Sequence, residues 1–178
     1  IVILGLIYIY LRLGIFQSIQ GDSYVWNFSI VKAANTLMWY IFWSLGTPEM
    51  VVDFIGTGLR PIPRFYTVFG DLWIVIVLGL LITLMLILGL VVKNIKRLDK
   101  LFLFGGLWYL VALLPVIFLP LHKFSLELGL PMVGISILLA NLIYKNWNSG
   151  KILLGIYVVF NLLMNWLTWE HHYSVNRS

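Results

Sequence analysis

Residues 119–131 read LPLHKFSLELGLP, a connector between two proline-marked apolar runs that sets His122, Lys123 and Glu127 close together. An imidazole and an ammonium at such a place can hold a phosphate or pyrophosphate through charge-assisted hydrogen bonds. The plainer alternative is a solvated hairpin whose lysine reaches to lipid headgroups. Arg60 and Arg64 form a second cationic pair, placed around Pro61 and Pro63, and Glu49 and Asp53 precede them at a spacing that shares one face of an α-helix. The arginines suit an anionic lipid carrier, and they equally suit pairing with those carboxylates or with headgroups. Glu170, His171 and His172 are of metal-ligand type. Adjacent histidines diverge on a helix and no third ligand stands at a suitable spacing, so no metal site and no cofactor are read from the chain.

The elements that must position these residues are membrane helices. The chain is 61% hydrophobic and 11% charged over 178 residues, with a mean hydropathy of +0.98, which inverts the usual ratio of polar cover to apolar core. Apolar runs occupy residues 1–16, 33–45, 72–92, 101–120, 128–144 and 152–169. They lack the alternation of barrel strands, and an open sheet edge in lipid would leave backbone groups unpaired. The expected fold is therefore all-α, a polytopic transmembrane helical bundle forming one membrane-embedded unit over residues 1–178. It has five or six spans, because Lys32 and Asn35 interrupt the start of the second run and leave it short for a crossing. That run either spans or dips and returns. The re-entrant version is preferred because it puts Asp22, Glu49, Asp53, Arg60 and Arg64 on the same side as His122.

Orientation follows from the lysines and arginines. Lys93, Lys96, Arg97 and Lys100 fill one connector, Lys145 and Lys151 flank another, and the two connectors are two runs apart. By the positive-inside rule both face the cytoplasm, so residues 121–127 and the tail from Glu170 face outward. Residues 48–71, with Gly56, Gly58, Pro61 and Pro63, read as a short interfacial helix followed by an ordered loop. The net charge of +5 arises in these short connectors and does not point to nucleic acid. Without cysteine, disulfides and thiolate metal sites are excluded. Phosphate-binding glycine loops, nucleophile elbows and zinc helix motifs are absent. Asn141, Asn161 and Asn165 lie inside apolar runs, where hydrogen bonding between helices accounts for them.

Several stretches together resemble a known family. WYIFWSLGTPEMVVDFIG at 39–56, the basic connector, GLWYLVALLPVIFLPLHKFSLELGLPMVGISILLA at 106–140 and the closing EHHYSVNRS at 170–178 are similar to the C-terminal membrane half of GT-C superfamily glycosyltransferases. The likeness is to bacterial relatives of protein O-mannosyltransferases. In that family a run ending in a leucine-proline pair leads to an outer loop, and a second leucine-proline opens the next helix with a glycine three residues on. Leu114 and Pro115, His122, and Leu130, Pro131 and Gly134 stand at those positions. Where animal relatives carry an acidic-Arg-aromatic sequence, this chain has Ser125, Leu126 and Glu127.

The resemblance implies transfer of a sugar from a polyprenyl-phosphate carrier to an acceptor on the non-cytoplasmic face of a membrane, here expected to be a bacterial inner (plasma) membrane. It also implies a catalytic acidic residue in an outer loop upstream of Ile1, so that the chain is expected to be an excerpt of a longer protein without its own catalytic base. His122, Lys123, Glu127, Arg60 and Arg64 are then the candidate binding residues for the lipid-linked donor. A transporter or flippase subunit and a structural membrane scaffold are the alternatives. The first would need polar residues along a path at the middle of the membrane.

Overall fold

The computed structural model describes residue 10 and residues 25–56, 59–95 and 99–175, with side chains to residue 170. The first apolar run apart from residue 10, Asp22, Gly58, Lys96, Arg97 and the side chains of His171 and His172 lie outside the described residues. From residue 25 on, the described elements are helical: α1 Ile30–Ser44, α2 Pro63–Phe69, α3 Leu72–Asn94, α4 Lys100–Ile117, α5 Pro131–Lys145 and α6 Trp147–Val175, with 3-10 turns at Glu49–Phe54 and Ser125–Leu128. A single bridge between Ile55 and Pro61 is the one β-type pairing among the described residues.

Among the described residues, three helical stretches are long and apolar enough to cross a membrane: Leu72–Asn94, Lys100–Ile117 and Trp147–Glu170. In α3 the mean hydropathy reaches 3.2, yet only 17% of that window is buried within the protein. Leu78, Leu81, Ile82, Leu88 and the 71% exposed Met85 form an uncovered apolar surface that water would not tolerate and hydrocarbon would. Helix α5 is shorter, and its 15 residues rise about 22 Å against a hydrocarbon layer of about 30 Å. Of the five or six crossings expected, these three have the length for it. Helix α6 starts earlier than the apolar run suggested, because Ser149 and Gly150 donate back to the Asn146 carbonyl at 2.9 and 2.7 Å and wind the connector into the helix.

The two described basic connectors meet at one end of the bundle. Asp99 caps α4 by accepting from the Phe102 amide at 3.0 Å, and it also accepts from Asn141 at 2.7 Å and from the Lys145 ammonium at 2.8 Å. Asn141 thus does join two helices, as its place in an apolar run suggested. The Lys145 hydrogen bond first, then the Phe102 amide and Asn141, hold the Asp99 carboxyl down to about 2 from an ordinary 3.8. Because the folded value lies below the unfolded one, the unfolded chain takes the proton first. The stabilisation is complete above the ordinary value and is lost as the pH falls through about 2. Carboxyl-carbon NMR should place the Asp99 midpoint near 2 and return it toward 3.8 in Lys145→Ala. An unchanged midpoint in that variant would separate the acidity from the ion pair.

Helix α1 decides the architecture of the opposite end. Just before it, the Asn27 amide donates to the Phe118 carbonyl at the end of α4 at 2.8 Å. At its other terminus, Ser44 Oγ lies 3.0 Å from Tyr109 Oη and the Tyr157 hydroxyl donates to the Ser44 carbonyl at 2.9 Å. Tyr109 sits roughly 12 Å below the end of α4 at 1.5 Å per residue. The chain reverses there through Gly46, whose φ of +102° is unfavourable for any side chain. A methyl carbon on Gly46 would also stand 2.8 Å from Asn161 Oδ1. The return brings Glu49 to a hydrogen bond from the Ser125 hydroxyl, in the loop after α4. Residues 27 and 49 are therefore both tied to the end of the bundle where α4 stops, and the segment between them turns back toward the end from which it starts.

This inserted hairpin is the core. Trp39, Tyr40 and Trp43 are buried against Tyr109, Leu113, Phe160 and Met164, so the most deeply enclosed helix is not one of the three long ones.

Candidate functional site

At the end where α1 enters, the chain builds two neighbouring cavities. The larger is a groove of about 510 Å³ between α1, the 3-10 turn at Glu49–Phe54 with the loop after it, and the connector after α4. Val31, Trp39, Val52, Ile55, Leu59 and Pro120 supply apolar wall, while Lys32, Asn35 and Lys123 supply the polar one. Lys32, Asn35 and Trp39 fall on one face of α1 by helical spacing. The loop wall is shaped by the Gly56 amide donating to the Arg60 carbonyl at 2.8 Å and the Ile62 amide to the Phe54 carbonyl at 2.9 Å, with Leu59 in the left-handed region at φ 59°.

Lys123 is the best-placed cation of this site. Its ammonium donates to Asn35 Oδ1 at 3.4 Å, so it turns into the groove instead of reaching outward to headgroups. Burial lowers its pKa from the ordinary lysine value, because a partly desolvated ammonium loses hydration that nothing in the groove fully replaces. An anion seated beside Lys123 and Lys32 would reverse that penalty.

The other candidate residues divide. His122, only 7% exposed, turns away from the groove: Nε2 lies 3.4 Å from Glu127 Oε1 and its ring meets Phe124 edge-on at 4.7 Å. His122 and Glu127 therefore act as a brace for the connector that carries Lys123. Arg60 and Arg64 are exposed, Arg60 next to the wall residue Leu59 and Arg64 in the first turn of α2; neither lines the groove. Glu49 and Asp53 do not share a helix face as their spacing suggested. The segment is a 3-10 helix, in which residues three apart eclipse and residues four apart do not.

The smaller cavity, of about 130 Å³, lies on the other side of the α1 return and is lined by Glu49 and Ser125 with Asn161, Asn165 and Thr168 of α6. Asn161, expected to bond between helices, donates instead to the Tyr157 carbonyl of its own helix at 2.8 Å. Lys32 and Asn35 were visible in the sequence only as interruptions of an apolar run. Polar residues recurring on one helix face inside such a run are the signal that marks them. Asn161, Asn165 and Thr168 show the same one-face signal on α6, whereas nothing local marks Ser125, whose grouping with them depends on where the hairpin inserts.

Comparison with protein-family models, curated proteins and solved structures returns no match. The fold and the site together define a helical, membrane-embedded protein with an amphiphilic groove at one end of its bundle.

Proposed function

We propose that this chain is the part of an integral membrane glycosyltransferase that holds a polyprenyl-phosphate-linked sugar donor, with the groove on the non-cytoplasmic side and the basic connectors around Lys93, Lys100, Lys145 and Lys151 in the cytoplasm. The observation that carries the reading is the pairing of Lys123 and Lys32 at the polar wall of an otherwise apolar groove. That combination matches a lipid with one anionic phosphate and an isoprenoid tail. When the bond between the sugar's anomeric carbon and the phosphate oxygen breaks, the leaving phosphate gains negative charge. The Lys123 ammonium, held by Asn35, with Lys32 on the same wall, stabilises that charge where it develops.

Five crossings belong to the same proposal: the three long helices, α5 completing its passage through the connector residues at its ends, and the first apolar run of the sequence. The sixth of the expected count would need α1 to cross, and the proposal takes α1 as re-entrant. A transporter reading is less well served. Two of the hydroxyls at depth are spent on the fold, with Ser44 against Tyr109 and Tyr157 on the Ser44 carbonyl, and the unpartnered Thr83 hydroxyl at the middle of α3 is one isolated group on a helix that is otherwise apolar there.

The test is lipid selectivity of the chain in nanodiscs, read by native mass spectrometry with a polyprenyl monophosphate and the matching polyprenol. The phosphate should bind about 10- to 100-fold more tightly, the range of one to two charge-assisted hydrogen bonds. Equal retention of both lipids would sink the reading.

A further inference from the structure

Trp43 and Thr47 are 6% and 7% exposed, and both line the smaller cavity. Neither the Trp43 indole N–H nor the Thr47 hydroxyl has a hydrogen-bond partner among the described residues. Buried polar groups are ordinarily paired, and leaving two unpaired in one place is costly. Both belong to a wall whose remaining polar groups are also not exhausted. Ser125 donates to one oxygen of Glu49, leaving the other to accept. Thr168 donates to the Met164 carbonyl at 2.9 Å, leaving its oxygen lone pairs, and Asn165 adds an amide with both donor and acceptor ends.

The chemistry of that set selects a ligand class. A carboxylate beside the opening disfavours an anion. A bare divalent cation needs many oxygen ligands, whereas this wall mixes one carboxylate with N–H donors. A neutral molecule carrying several hydroxyls, each both donor and acceptor, matches an indole N–H, amides, hydroxyls and a carboxylate at once. The cavity volume of about 130 Å³ limits the guest to about one small ring.

We propose that this cavity is a subsite for a single polyhydroxylated ring, the sugar borne by the anchored lipid. The inference rests on the donor-lipid reading above for the identity of the sugar's carrier. The two cavities are joined through α1: Trp39 lines the groove and Trp43 the subsite, with their ring centroids 6.2 Å apart. Lys123 and Ser125, two residues apart on the same connector, likewise face one cavity each. A phosphate at Lys123 and a ring beside Ser125 thus fall on adjoining sites.

The deciding measurement is the Trp43 indole N–H resonance of the whole chain in nanodiscs, assigned through Trp43→Phe and titrated with the methyl glycosides of glucose, mannose and galactose. At least one should shift it saturably, and inorganic phosphate and glycerol should not. Asn165→Leu, on an exposed position of α6, should weaken the response at least tenfold while leaving the melting temperature unchanged, and Arg64→Ala, exposed and lining neither cavity, should leave the response intact. No saturable shift with any of the glycosides overturns the subsite, as does a shift that glycerol reproduces or that survives Asn165→Leu. Sugar binding without selective phosphate-lipid binding would instead overturn the groove reading, so the two failures are distinguishable.

Discussion

Gly134→Leu should unfold the half of the bundle into which α1 packs. A methyl carbon on Gly134 would lie 2.5 Å from the Gly105 carbonyl oxygen and 2.8 Å from the Tyr109 amide nitrogen, and one on Gly105 would lie 2.7 Å from the Gly134 carbonyl oxygen. All of these neighbours are backbone atoms, which cannot swing aside as a side chain can, so α4 and α5 must separate. Close approach through small residues is how membrane helices gain packing contact where no hydrophobic difference drives them together. Separation would also strain the Trp108 indole bond to the Leu130 carbonyl, 3.0 Å long. It would withdraw Tyr109 from Ser44, on which the α1 hairpin rests. Overpacking alone costs about 1–3 kcal/mol; with the lost hydrogen bonds, a total of about 4 kcal/mol is expected. The check is thermal unfolding in lipid nanodiscs beside Gly106→Ala, whose added carbon meets open space and which should be neutral or slightly stabilising. Equal melting temperatures for the two variants would show that the close crossing is not what holds α4 to α5.

Lys123→Glu should abolish selective binding of the phosphate lipid while sparing the fold. Charge reversal removes an attraction and adds a repulsion. At an effective dielectric of about 20 each unit contact at 4 Å is worth about 4 kcal/mol before desolvation, so a loss of at least about 100-fold is expected after the desolvation cost is recovered. The polyprenol should bind as before, since it relies on the apolar wall of Trp39, Val52 and Ile55. Lys32→Glu should act in the same direction, because Lys32 shares that polar wall from α1. Because burial depresses the Lys123 pKa, phosphate-lipid affinity in the wild type should weaken as the pH rises through that lowered value, sooner than an ordinary lysine would allow. The bound phosphate favours the ammonium, so lipid binding is accompanied by proton uptake in that window. The same affinity in Lys123→Glu and wild type would exclude the groove as the phosphate site. His122→Ala is expected to weaken binding only indirectly, by freeing the connector that its contact with Glu127 braces.

The class of structure and the ends of the bundle are already written in the order of the residues. Long apolar runs in a chain of mean hydropathy +0.98 can satisfy their backbone groups in lipid only as helices, and α3, α4 and α6 follow. The lysines at 93, 100, 145 and 151 marked two connectors as neighbours, and the Asp99–Lys145 ion pair ties the ends they flank together. Lys123 was legible as a candidate because a cation in a proline-bounded connector is uncommon company for so many apolar residues. Three features of the site waited on the packed chain: that His122 pairs with Glu127 instead of facing a ligand, that Arg60 and Arg64 stand outside the groove wall, and that Glu49 faces Ser125. Packing also makes Asn35 the partner of Lys123 and sets Lys32 on the same groove wall, though both look like blemishes in an apolar run. The reason is the depth of one short helix. Local pattern specifies that residues 30–44 coil and which faces they present, but how far they enter depends on contacts with Phe118, Tyr109, Ser125 and Tyr157, all remote along the chain and all fixed by how α4, α5 and α6 pack.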